Sequence, residues 1–194
     1  MLHLTMMAVL FLGPVLIVRG LGQSDTASGM LMVAVQTSIV ATAYLGGWLY
    51  DRTGSRWIRP GAAAILAVGF VAWALSGVAR SHAALIAFGL FAGLGSGVLL
   101  AVNNAVIMTS LPDAYRGAAS GMLETTRHVG HAFGVTIPTA ILAVVTASLA
   151  GSEAGALRWG FFWSCLGMAV ISLLGVLLAL VPAGRSGQRG DQHG

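Results

Sequence analysis

Glu124, Arg127, His128 and His131 stand at i, i+3, i+4 and i+7, the spacing that gathers side chains on one face of an α-helix. The run that carries them is apolar enough to lie in a bilayer, where an uncompensated charge costs at least about 2.5 kcal/mol. The acid therefore needs a partner, and Arg127 is the nearest. Two chemistries fit the pattern. Dehydration favours the neutral acid and the arginine favours the carboxylate, so a movement of one relative to the other would bind or release a proton. The other reading is a permanent Glu124 to Arg127 pair that anchors one end of the helix. The spacing Glu-x3-His-x2-His also offers three ligands to zinc, yet the HExxH signature is missing and no further ligand cluster lies nearby, so neither metal nor cofactor is expected.

A second set of candidates is neutral. Asn103 and Asn104 sit near the end of another apolar run, and buried amides are costly against lipid, so at least one should turn into the bundle or a wet cavity. They are either contacts along a solute pathway or a hydrogen bond between helices. Gln36, followed by Thr37 and Ser38, is a similar and weaker case. The third set is the corner GGWLYDRTGSR from Gly46 to Arg56, a polar turn carrying Asp51, Arg52 and Arg56 between two long apolar segments. Gly54 can adopt the positive φ of a tight turn, and Gly47 would let a neighbouring backbone come close.

Composition decides what must position these groups. Of 194 residues 57% are apolar and 8% charged, with a mean hydropathy of +0.86, against roughly 25% charged residues in soluble domains. Six runs are long enough for a hydrocarbon core of ~30 Å: near Leu2 to Val18, Met30 to Tyr50, Pro60 to Ala79, His82 to Ser110, Ala118 to Leu149 and Leu157 to Val181. Lipid cannot satisfy open backbone groups, and runs this long and continuously apolar are not barrel strands, so an all-α membrane protein with six transmembrane helices is expected. Residues 1–181 form that domain. Residues 182–194, Gly-rich and polar, are expected to be a disordered cytoplasmic tail. The first run starts abruptly at Met1, which suggests further residues before it, and no basic n-region or cleavage site marks a signal peptide.

The charges read as topology. Lysine is absent, and ten arginines against six acids give a formal +4. They form no basic stripe with interleaved aromatics, which excludes nucleic acid as a partner. Arg52, Arg56, Arg59, Arg116, Arg185 and Arg189 fall in loops two and four and the tail, against Arg19, Arg80 and Arg158 in the other loops. Six against three puts the first set, and both termini, in the cytoplasm of a cell membrane. Cys165, the lone cysteine, can form no internal disulfide. Gly89, Gly93 and Gly97, and the pairs Gly117/Gly121 and Gly130/Gly134, make flat helix faces for packing within the bundle or for self-association. Pro138 predicts a kink, with Thr136 and Thr139 close enough to serve freed carbonyls. Trp48, Trp57, Trp159 and Trp163 fall near span ends, as an interfacial belt would.

The pattern Gly47-x-Leu49-x-Asp51-Arg52-x-Gly54-x-Arg56 resembles the loop between the second and third helices of each half in the major facilitator superfamily. The segment from Arg116 to Gly134 resembles the penultimate helix of its fourteen-span drug:proton antiporter branch, in which Arg127 matches the usual residue while Asn, Gln and Gly are usual where this chain has Glu124, His128 and His131. The resemblance implies one six-helix half built as a 3+3 inverted repeat. It also implies proton-coupled efflux of a small organic solute, and an Asp51–Arg52 latch that engages the other half. Six helices make one wall of a cavity, so an N-terminal transporter half or a homodimer is expected as partner. The alternative is a non-transporting truncated membrane protein or scaffold, for which the Glu124 stripe would be dispensable. No spacing points to an enzyme.

Overall fold

A computed structural model describes residues 1–54, 56–109, 115–149 and 152–180. Among them there is no strand, and six helices follow in order: α1 Leu2–Val15, continued by a π turn Leu16–Gly20, α2 Asp25–Thr53, α3 Ile58–Val78, α4 His82–Thr109, α5 Arg116–Ser148 and α6 Glu153–Leu180. All six are long and apolar enough to cross a membrane. The expected tail, Arg185, Arg189 and Ser55 lie outside the described residues.

Helix α2 outruns the apolar run that announced it at both ends, because polar residues at a membrane face can still close a helix. Ser24 caps α2, its Oγ accepting the N–H of Ala27 at 3.3 Å, with Asp25 on the positive end of the dipole. At the other end Gly54 takes φ +54° and its N–H donates to the Tyr50 carbonyl at 2.7 Å, a left-handed cap that few other residues adopt without strain. The polar corner is therefore mostly helix: Gly46 to Thr53 belong to the last turns of α2, and only the segment from Gly54 turns. In α1, two residues past Pro14, the backbone ladder widens to the π turn, and Leu21 N–H reaches Leu16 O at 2.8 Å.

Packing follows the glycines. Helices in lipid gain little from apolar burial against each other and associate where small residues let backbones approach. A Cβ at Gly89 would sit 3.3 Å from Leu31 and Val35 atoms of α2, one at Gly93 3.0 Å from Ser38 Cβ, and one at Gly97 would run into Thr42 Oγ1 and the Ile39 carbonyl. This ridge of α4 is thus occupied by α2. Gly95, on the adjacent face, meets Leu66 of α3, with its backbone N 2.7 Å from the added Cβ. Gly130 and Gly134 of α5 admit α1 at His3, Leu4 and Met7. By contrast, a Cβ at Gly117 or Gly121 meets nothing within 4 Å.

The helix pairs that result are α2 with α4, α1 with α5, and α3 with α6 and α4. Exchanging the triplets α1–α3 and α4–α6 maps the first pair onto the second and α3–α6 onto itself, as an inverted repeat would, whereas α3–α4 has only a weak counterpart in α1–α6 and α5–α6 has almost none in α2–α3. Trp73, Phe70, Phe161, Leu12 and Leu16 fill the centre, with the Trp73 and Phe161 rings edge to face at 5.4 Å. Pro138 is buried, and its carbonyl accepts from Ser164 Oγ of α6 at 3.2 Å. The threonines beside it serve carbonyls other than the one Pro138 deprives of a donor. Thr136 donates to Ala132 and Thr139 to Val135, whereas the missing N–H is the one Gly134 would have received.

Candidate functional site

α5 is the least enclosed of the six, with 17% of its apolar window buried, compared with 33% for α2 and 56% for α3. What it leaves uncovered is mixed: Met122, Val129, Phe133 and Val144 are exposed and apolar, but a polar stripe runs beside them. Thr125, His128, Ala132, Thr136 and Thr139 follow one another at intervals of three and four along one exposed stripe, with Glu124 at its edge. The exposed faces of α3 and α6 at comparable places are Ile65, Val68, Val71 and Val170, Leu173, Leu174.

Four ionisable groups of α5, Glu124, Arg127, His128 and His131, are brought together as the spacing predicts. Arg127 Nη1 and Glu124 Oε1 are 3.0 Å apart, with the arginine side chain 34% and the acid 52% exposed. The pair forms on its own helix, and the Nε of Arg127 is buried without a hydrogen-bond partner among the described residues. His128 and His131 lie edge to face at 6.3 Å. His131 then meets His3 of α1 at 5.4 Å, again edge to face. His3 is a member of this cluster that sequence reasoning passed over. The signal was present, an ionisable side chain three residues into an apolar run, but its neighbours become known only once Gly130 and Gly134 seat α1 against α5. Among the described residues no group of three or more potential ligands could hold a metal.

Asn103 and Asn104 are half-buried near the end of α4. Asn103 Oδ1 accepts the Nε–H of Arg59 at 3.0 Å, a hydrogen bond between α3 and α4. Both asparagines also line an open cavity of about 420 Å³ between α1, α4 and α5, together with His3, Arg59, Leu123 and Thr126. Gln36 is elsewhere, on the exposed side of α2, while its neighbour Ser38 donates to the Leu90 carbonyl of α4 at 3.1 Å.

At the α2 corner, Asp51 and Arg52 are exposed, and Arg52 lies over the Trp48 ring at 4.4 Å while Arg56 lies 5.2 Å from that of Trp57. These are cation–π contacts within the corner itself. The close approach expected at Gly47 falls one residue earlier. A Cβ at Gly46 would sit 2.8 Å from Val98 Cα, whereas at Gly47 the nearest atom is Ala101 Cβ at 3.8 Å. At the opposite end of the bundle Arg19 and Glu153 pair at 2.6 Å, both well exposed, a contact of small energetic weight.

Six membrane-length helices, paired in part as an inverted repeat, thus carry a polar stripe on one open face. The sequence profile of the Major Facilitator Superfamily aligns with residues 1–193. The chain belongs to that superfamily. Among curated relatives, this superfamily member is 29% identical over 122 residues to an uncharacterized transporter, YebQ, of Escherichia coli strain K12, an alignment covering 63% of this chain and 27% of that one. It is 26% identical over 175 residues, 89% of its length and 37% of the other, to the putative multidrug resistance protein MdtD of Cronobacter sakazakii. With the quinolone resistance protein NorB of Staphylococcus aureus it shares 26% over 167 residues, 84% and 35% of the two lengths. It thus spans about a quarter to three-eighths of these relatives, and its six helices constitute one half of a superfamily fold in a multi-pass membrane protein.

Proposed function

We propose that the chain is the C-terminal half of a proton-coupled carrier that exports a small organic solute across the cell membrane. The observation that carries this reading is the uncovered face of α5. An acid, an arginine and two histidines that meet a third histidine on α1 stand at membrane depth on a surface that lipid would penalise. Such a face is tolerated where it borders a water-filled gap or a second protein wall. A complementary half supplies that wall, whether it is joined to this chain, encoded separately or a second copy. The chain's relatives, a putative multidrug resistance protein and a quinolone resistance protein, favour an efflux substrate of drug-like size.

The mechanism follows from the pair. While Glu124 is ionised, Arg127 holds it at 3.0 Å and both stay on α5. Protonation removes the attraction, the guanidinium is released toward the gap, and the helix end is free to shift against the mate. His131 and His3, edge to face at 5.4 Å, are the titratable groups assigned to the passage from α5 toward α1, with water bridging their ring nitrogens. Asp51 and Arg52 act at the bilayer face as a latch that is broken and remade as the halves rock, with Gly54 fixing the turn that presents them. The arginine-rich ends of α2 and α3 favour a cytoplasmic position for this face and for both termini.

The test is proton-driven movement of a quinolone in inverted vesicles from cells expressing the intact gene product, parent beside Glu124→Gln. Flux in the parent that falls to the level of empty vesicles in the variant is expected. Equal flux in both would remove Glu124 from the coupling, and flux in neither would favour a membrane scaffold.

A further inference from the structure

Arg59 is the second residue of α3 and half-buried. Its Nε–H is held by Asn103 Oδ1 at 3.0 Å, which orients the guanidinium plane and leaves its Nη donors for another partner. Arg59 and Asn103 together line two adjoining cavities, the one of about 420 Å³ described above and another of about 220 Å³ between α1, α3, α4 and α6. Among the described residues no Asp or Glu lines either cavity and Arg59 makes no ion pair. Of the polar groups around it, Thr5 and Ser172 donate within their own helices, to Leu2 and Met168 carbonyls, while His3, Asn104 and Thr126 line the larger cavity and Met1 lines both. Most of the remaining walls are apolar, including Leu66, Leu99 and Leu123.

A half-enclosed cation with no counter-ion among the described residues, oriented by an amide and set between largely apolar walls, is the inverse image of an anionic amphiphile. We propose that Arg59 and Asn103 form a subsite for the anionic head, carboxylate or phosphate, of an amphiphile whose apolar body lies in the adjoining cavities. The planar fork of arginine suits either head bidentately, and cavities of this size suit a short chain or one ring system. A cationic amphiphile would meet the guanidinium as a like charge. The head could come from a bilayer lipid or from a dissolved organic acid. As a statement about the carried solute the proposal rests on the transport reading above, but as a binding site it does not, so the test reads binding alone.

The protein purified in a neutral maltoside detergent is titrated with decanoate and with decyltrimethylammonium, and separately with dihexanoyl phosphatidylglycerol and dihexanoyl phosphatidylcholine, with bound species counted by native mass spectrometry. The parent is expected to prefer each anion over its matched partner. Arg59→Gln should weaken the anions at least about tenfold, as loss of a charged hydrogen bond does, while Arg59→Lys recovers part of the affinity. Asn103→Leu keeps the charge but removes its orienting acceptor, should weaken both anions less, and carries the test if Arg59→Gln does not fold. A loss confined to phosphatidylglycerol identifies a lipid site and one confined to decanoate a solute site. Undiminished anion binding in Arg59→Gln and Asn103→Leu, or a parent that binds decyltrimethylammonium as well as decanoate, overturns the proposal.

Discussion

Gly97→Ala is expected to abolish accumulation of monodisperse protein, while Gly121→Ala, the same change in the same kind of small-residue repeat, leaves it intact. At Gly97 the new methyl carbon falls on Thr42 Oγ1 and the Ile39 carbonyl and within 2.9 Å of Ala43 N. None of these can yield cheaply. The Thr42 hydroxyl is tied to the Ser38 carbonyl at 2.6 Å, and the others are backbone of α2. α2 must move away from α4 as a body, breaking the Ser38 to Leu90 hydrogen bond and the packing of Gly89 and Gly93 with it. Overpacking commonly costs about 1 to 3 kcal/mol, and a backbone collision belongs at or above the upper end, a large share of a stability of ~5 to 15 kcal/mol. At Gly121 the methyl meets open space, and the substitution should stabilise α5 by roughly 0.5 to 1 kcal/mol through helix propensity. Size-exclusion profiles and thermal unfolding of the two variants check the contrast.

Gly134→Leu should spare the fold and end transport. Its Cβ would fall on the Leu4 carbonyl and 2.7 Å from Met7 Cβ, so the first turns of α1 must leave α5. Further along, Leu12 and Leu16 stay anchored beside Trp73 and Phe161 in the buried core. Helix content should survive with a melting temperature lowered by several degrees, the scale expected of ~1 to 3 kcal/mol. The contact between His3 and His131 would not survive, and with it the route from α5 to α1. Proton-driven flux is expected to drop to background. Circular dichroism that matches the parent together with undiminished flux would show that the α1–α5 seat is only structural.

These outcomes mark how far the amino-acid sequence could be read. The six helices were legible because hydrocarbon thickness dictates length, and α2 alone runs past its apolar stretch at both ends, because Ser24 and Gly54 close it with polar or flexible residues that hydropathy discards. Glycine spacing announced flat faces but not their occupants: Gly97 faces α2, Gly134 faces α1 and Gly121 faces no one. Spacing fixes a face, while the partner is decided by how helices far apart in sequence pair. The same reason hid His3 and Arg59. Each was visible as a polar residue at the edge of an apolar run, but His131 and Asn103, which give them their meaning, are far away along the chain. The α5 stripe, by contrast, is local to one helix, and its ion pair forms at the predicted spacing.

All of this depends on the open side of α5 bordering water rather than hydrocarbon. Thr125 and Val170 stand at similar distances from the end of the bundle where Arg59 and Asn103 meet, both exposed, one on the polar stripe of α5 and the other on the apolar face of α6. The native Cys165 is fully buried and should stay silent. Single cysteines placed at the two positions, in vesicles treated with a membrane-impermeant thiol reagent, should report labelling of Thr125→Cys and none of Val170→Cys. Equal behaviour at the two positions, or labelling of Val170→Cys alone, would contradict the account.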